Sequence, residues 1–153
     1  MMRYGNLWNE LSSTNSAFSH SSEIHGPVHW RQVYRNGLYL AEHTGADIRL
    51  VELFSVFHDS CRVDDGKDPE HGIRAAKMVL SRRDDFGELS EELFQCLYEA
   101  IRDHVHMKHT GNIHVATCWD ADRLDLGRVG IVPDEEFMNT EIGRMMARNM
   151  ALE

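Results

Sequence analysis

Phe54-Ser55-Val56-Phe57-His58-Asp59-Ser60-Cys61-Arg62 is the stretch on which the reading of this chain turns. An apolar run drives a helix towards the core. It then ends on an imidazole, a carboxylate and, after one short step, a guanidinium. Val51, Phe54 and His58 share helical spacing, so His58 lies on or beside the buried face. Asp59 follows about 100° further round the helix. A buried imidazole beside a buried carboxylate is unfavourable unless something compensates both. A bound cation does so. For the dipeptide alone, a core histidine hydrogen-bonded to a helix-end aspartate does so too.

Working outward, the apolar spacing predicts helices on both sides. Residues 46–61 form a central helix, with Leu50, Val51, Phe54, Phe57 and His58 on one face and Leu53 and Val56 widening it. Before it, residues 27–43 carry the stripe Trp30, Val33, Tyr34, Gly37, Leu38 and Ala41, with His29 near the start and Thr44-Gly45 as the stop. After the turn-forming stretch Val63 to Asp68, Asp68-Pro69 reads as a cap and first helical residue for a helix over 69–83. His71 sits in its first turn. Ser90, followed by Glu91 and Glu92, caps the next helix, whose stripe is Leu93, Leu97, Ala100, Ile101, His104 and Val105. A fifth helix from Asn112 places Val115, Trp119 and Asp122 on one stripe. A last helix is expected over 134–150, with its methionines as packing residues. Residues 1–24 read as a loosely structured lead-in with one amphipathic turn at Leu7, Trp8 and Leu11, then a Ser/Asn-rich loop. His20 and His25 read as surface residues. The expected architecture is a single all-α domain over residues 1–153, a bundle of five to seven helices around a buried metal site.

Composition narrows the function. The formal charge of −9 argues against a nucleic-acid polymer as partner, since such surfaces need a basic footprint. It does not exclude a small anion, because bound divalent metals reverse the local sign. No apolar run is long enough for a membrane span, and residues 1–22 hold no apolar signal core. The three cysteines are widely spaced and form no Cys-x-x-Cys, which points to a reducing, cytoplasmic compartment.

Separate helices thus bring His29, His58 with Asp59, His71, His104 and Asp122 to inward-facing or helix-end positions. Each alone has a structural explanation, but that explanation must hold independently at every one. Mixed imidazole and carboxylate ligands suit iron, manganese, cobalt, nickel or zinc, with magnesium possible.

The pattern resembles the HD-domain superfamily of metal-dependent phosphohydrolases, in which a histidine, a His-Asp pair and a distant aspartate come from different helices. The matching residues are His29 in Gly26-Pro27-Val28-His29-Trp30, the pair His58-Asp59, and Asp122 in Asp120-Ala121-Asp122-Arg123-Leu124-Asp125. The resemblance covers about residues 25–131. Asp122 is preferred to Asp120 because it precedes a basic residue and falls on the Val115/Trp119 stripe. Glu70-His71-Gly72 and Ala100-Ile101-Arg102-Asp103-His104 are similar to the extra histidines of two-metal members, the hydrolases of symmetrical dinucleoside polyphosphates above all. The Gly-Tyr-Pro motif of the cyclic-dinucleotide phosphodiesterases is absent. Arg62 stands where many one-metal nucleotidases carry a glutamate.

The resemblance implies hydrolysis of a nucleotide or other small phosphoester by a metal-activated water, with one or two divalent ions. Asp59 is then the bridging carboxylate. Arg62 and Arg123 are the expected contacts to the phosphate and its developing charge, with Lys67 as a further substrate contact. Asp64 or Asp65 would protonate the leaving group or simply form the turn. Asp125 would support Asp122 or cap a helix, and His106 and His109 would line the mouth or lie exposed. Two other functions remain open: a di-iron oxygenase on the same ligands, and a non-catalytic module that binds a phosphorylated nucleotide.

Overall fold

A computed structural model of the chain describes residues 2–13 and 18–153. The described residues form seven α-helices joined by turns and short 3₁₀ segments, with no strand among them. The helices are α1 (Gly5–Ser12), α2 (Pro27–Thr44), α3 (Ile48–Phe57), α4 (His71–Ser81), α5 (Glu91–Asp103), α6 (Ile113–Arg123) and α7 (Glu141–Ala151). None is long and apolar enough to cross a membrane.

Local chemistry sets most of the boundaries. Pro27 starts α2 at a position that needs no N–H, and Gly45 ends it in the left-handed conformation, φ 77°. Asp47, Ser90, Asn112 and Thr140 cap α3, α5, α6 and α7 by accepting hydrogen bonds from backbone N–H groups in the first turn. α3 is buried from Leu50 to Phe57, its polar Glu52 and Ser55 included. A helix buried on every side must be wrapped, and α3 packs against α1, α2, α5 and α6. α4 lies on α5. Their close approach occurs at Gly72, where a Cβ would come within 2.8 Å of the Ile101 carbonyl oxygen.

The structure departs from the sequence reading at four places. First, α3 ends at Phe57 rather than Cys61: Ser60 turns back, its N–H and its hydroxyl both donating to the Phe57 carbonyl. Second, α4 begins at His71, because the Asp68 carboxylate does not cap it. That carboxylate accepts instead from the Val63 N–H and the Arg74 guanidinium. Third, the expected last helix is broken. A 3₁₀ turn over Glu135–Phe137 precedes α7, and between them the buried Asp120 carboxylate accepts the N–H groups of Asn139 and Thr140 and the Thr140 hydroxyl. Met138 is buried and Met146 and Met150 pack on the core, while Met145 stays half exposed.

The fourth departure is the lead-in, which is largely built. α1 buries Leu7, Trp8 and Leu11. Glu52 on α3 holds it there, accepting from the N–H groups of Arg3 and Tyr4 and from Trp8 Nε1 at 2.8–3.0 Å. Of the expected Ser/Asn-rich loop, residues 14–17 lie outside the described residues, as does the side chain of His20. His25 is not a surface residue: it is buried, 7% exposed.

Candidate metal centre

Five helix ends converge on one point. His58 follows the last residue of α3, His104 follows the last residue of α5, and Asp122 lies in the last turn of α6. These are C-terminal ends, where the partial charge of the helix is negative and favours a cation. His29 comes from the first turn of α2 and His71 opens α4. Gly72 allows α4 to approach the last turn of α5, which brings His71 to His104. His29, His58, Asp59, His71 and His104 are buried, and Asp122 is partly exposed.

The ring nitrogens are assigned by their partners. Nδ1 of His58 lies 3.0 Å from the Ser55 carbonyl oxygen, Nδ1 of His71 lies 2.6 Å from that of Asp68, and Nδ1 of His104 lies 2.7 Å from that of Ile101. A carbonyl oxygen only accepts, so each Nδ1 carries the proton. Nδ1 of His29 lies 2.7 Å from Asp125 Oδ2, again an acceptor. In the neutral rings all four Nε2 atoms are therefore left with lone pairs, and these face one another. Nε2 of His29 is 3.1 Å from Nε2 of His58, and Nε2 of His71 is 3.0 Å from Nε2 of His104. Two lone pairs at such separations repel unless a proton or a metal ion stands between them.

Asp59 joins the two pairs. Its Oδ2 is 3.3 Å from Nε2 of both His29 and His58. Its Oδ1 is 3.0 Å from Nε2 of His71 and 3.7 Å from that of His104. Asp122 Oδ1 closes the first group, 3.1 Å from His29 Nε2 and 3.4 Å from His58 Nε2. Two groups that could hold a metal ion result, His29/His58/Asp59/Asp122 and Asp59/His71/His104, sharing Asp59. The donors fit a divalent transition metal: neutral imidazoles with oriented lone pairs, ionised carboxylates, and backbone or carboxylate acceptors fixing each ring from behind.

The electrostatics express the same demand for positive charge. Burial disfavours the charged form of His29, but hydrogen bonds with Asp122, Asp125 and Asp59 outweigh it and push the pKa up to about 10. Burial likewise opposes charge on His58, and the nearby Asp59 and Asp122 carboxylates push it up to about 9. Burial would raise Asp59 and Asp122, yet the surrounding imidazoles hold both well below the usual carboxylate range. His104 moves the other way, lowered chiefly by burial.

A pocket of about 170 Å³ opens onto this cluster, lined by Asp59, His71, His104, Asp122, His25, Arg62, Val105 and Arg128. Two larger clefts of about 470 Å³ run along α7 and contain none of the clustered groups. Arg62 lines the pocket, with Nε 3.6 Å from Asp59 Oδ1 and Nη1 donating to the carbonyls of Asp64 and Gly66.

The structure does not bring Arg123 to the pocket. Its guanidinium donates to the carbonyls of Met107, Lys108 and Phe137 and lies over the Trp119 ring at 5.1 Å. As the residue after Asp122, it leaves the helix in a different direction. Lys67 is exposed on the 62–68 loop and is not part of the pocket lining. Asp64 forms the turn, accepting from the Gly66 N–H, and Asp65 pairs with His25. Asp125 supports His29 rather than Asp122. His106 and His109 are exposed, on Pro69 and Asn139. Sequence reasoning missed His25 and Arg128. The only sequence signals were the four-residue spacing of His25 from His29 and a second basic residue, Arg128, three residues after Asp125.

No protein-family model matches the chain, nor does any curated protein or solved structure.

Proposed function

We propose that this protein is a metal-dependent phosphohydrolase of the HD-domain type, acting on a nucleotide or other small phosphoester. The observation that carries the reading is the division of the Asp59 carboxylate, one oxygen towards each of two facing histidine pairs. That arrangement suits two divalent ions. His29, His58, Asp59 and Asp122 would hold one, and Asp59, His71 and His104 the other. Four imidazoles favour iron, manganese, cobalt, nickel or zinc over magnesium. Bound there, such ions supply a hydroxide near neutral pH and positive charge against the reacting phosphate.

The chain's own residues do the rest. Asp125 and the Phe54, Ser55, Asp68 and Ile101 carbonyls hold the imidazoles in the ligating tautomer. Arg62, braced by its loop, presents a guanidinium beside Asp59, where phosphate charge would develop. The site is reached through a small pocket, and the chain is strongly acidic overall, so a small anion fits better than a polymer. Free thiols at Cys61, Cys96 and Cys118 suit a reducing, cytoplasmic setting.

The test is metal analysis of freshly purified protein, followed by a phosphoester panel with the metal found. Two equivalents per chain and metal-dependent release of phosphate or a nucleotide are expected. Asp59→Ala should lose both metal and turnover with the helical circular-dichroism signal retained; an Asp59→Ala protein with full activity refutes the reading. The same donors would also hold a redox-active iron pair. Dioxygen uptake by the reduced, iron-loaded protein, with no phosphoester turned over, would assign it to that chemistry instead.

A further inference from the structure

We infer that Arg128 and His25, acting with Arg62, form the anion subsite that receives the phosphoryl group of the substrate. The inference rests on the phosphohydrolase reading and extends it. Apart from the clustered ligands and Val105, the pocket lining consists of His25, Arg62 and Arg128. One wall of the pocket is thus the candidate metal centre, and every other polar side chain facing it is a guanidinium or an imidazole.

Arg128 is held in place by neutral acceptors. Its Nε donates to the Ile24 carbonyl at 2.8 Å and its Nη1 to the Asp125 carbonyl at 2.7 Å. Main-chain carbonyls fix the guanidinium plane without neutralising it. The nearest carboxylate oxygen, Asp125 Oδ2, is 3.9 Å from Nη1 and already accepts from His29 Nδ1. Nη2 makes no hydrogen bond among the described residues. A planar donor held along one edge, with its other nitrogen left for a ligand, is the arrangement by which arginine binds phosphate.

His25 is held as firmly. Its Nδ1 lies 2.8 Å from Asp65 Oδ1, and that oxygen also accepts from the Ser22 hydroxyl. The His25 N–H donates to Ser22 Oγ, and its carbonyl accepts from Trp30 Nε1. These bonds fasten the segment before α2 to the 62–68 loop. They leave His25, whose Nδ1 carries the proton towards Asp65, lining the pocket with an Nε2 lone pair that makes no hydrogen bond among the described residues and that would accept from the hydroxyl of a hydrogen-phosphate group. Arg62 comes from the same loop, braced by the Asp64 and Gly66 carbonyls.

Size adds a constraint on the substrate. A pocket of about 170 Å³ takes a phosphoryl group but not a base and sugar as well. The subsite therefore holds the phosphoryl group alone, and the organic part of the substrate lies outside it at the mouth.

A purely structural account of Arg128 is a strap tying Ile24 to the end of α6. The experiment separates the two roles. Inorganic phosphate is titrated calorimetrically into protein carrying the metal it retains on purification, for wild type, Arg128→Gln, Arg128→Lys, His25→Gln and the exposed α2 charge control Arg35→Gln. Thermal midpoints are recorded alongside. Arg128→Gln should weaken phosphate binding about tenfold or more. Arg128→Lys should recover part of that, His25→Gln should weaken binding severalfold, and Arg35→Gln should match wild type.

Wild-type phosphate affinity in both Arg128→Gln and His25→Gln overturns the subsite, and a lowered midpoint alone then marks Arg128 as a strap. If the wild type also turns over phosphoesters in that case, the hydrolase reading stands without the subsite. Phosphate binding that depends on Arg128, with no phosphoester turned over, leaves the subsite and removes the hydrolase reading.

Discussion

Asp125→Ala should weaken one metal step and spare the other. Asp125 Oδ2 accepts from His29 Nδ1 at 2.7 Å, and His29 is 1% exposed. Without the carboxylate, a buried N–H loses its partner and the ring loses both its fixed tautomer and part of its basicity. Removing such an outer partner lowers metal affinity about 10- to 100-fold, or about 1.4–2.7 kcal/mol. The loss belongs to the His29/His58/Asp59/Asp122 group. His71 and His104 are oriented by the Asp68 and Ile101 carbonyls, which the substitution does not touch. Arg128 also keeps its bond, because it uses the main-chain oxygen of residue 125. Calorimetric titration of chelator-treated protein should therefore show two steps in wild type, with only one displaced in the variant. Asp125→Asn retains an acceptor and should move that step by about tenfold or less. Equal displacement of both steps, or of neither, would refute this account of how His29 is held.

The double variant His71→Ala/His104→Ala should lose one equivalent of metal and most activity while keeping the other equivalent, by metal analysis after dialysis. A wild type that saturates at one ion per chain, held as tightly by the double variant, would end the two-metal reading. Gly72→Ala places a Cβ against the Ile101 and Arg102 carbonyls, so α4 must shift off α5. Urea unfolding should show a loss of about 1–3 kcal/mol, and the His71/His104 step should weaken with it; unchanged stability would mean that the two helices adjust freely. The metal-free protein should also become less stable at alkaline pH. His29 and His58 are raised from about 6.5 to about 10 and about 9. The stability they contribute is thus fully present below about pH 6.5 and lost as pH rises through 9 to 10. Asp59 and Asp122, held low, contribute above the ordinary carboxylate range and lose that contribution as pH falls. Thermal midpoints measured across this range should fall on the alkaline side, and saturating metal should flatten that fall, because ions replace the protons. A flat alkaline limb in the metal-free protein would contradict the raised imidazoles.

The sequence by itself determined the helical class, the approximate span of α2 to α6, and the inward direction of His58, His104 and Asp122, while it placed His29, Asp59 and His71 only at helix ends. Helix periodicity assigns a direction to every side chain on a stripe, and a stripe that ends in histidine or aspartate sends that group inward. The stripe of Val115 and Trp119 and the basic residue that follows set Asp122 apart from Asp120 in the sequence; the structure buries Asp120 as well, but against Asn139 and Thr140 rather than the histidines. Tertiary structure decided what periodicity does not encode. Glu52 is a charged residue on an apolar helix, and only the return of α1 supplies the three N–H donors that allow its burial. His25 becomes a pocket residue because the 62–68 loop brings Asp65 to it from 40 positions away. Arg123 follows Asp122 in sequence but turns onto Trp119 and three carbonyls, while Arg128, beyond the end of α6, is carried back to the pocket by its bond to Ile24. Local pattern fixes the face of a helix on which a residue lies. Whether a polar group there meets a partner, a ligand or solvent depends on segments far along the chain, and only the packed structure brings those together.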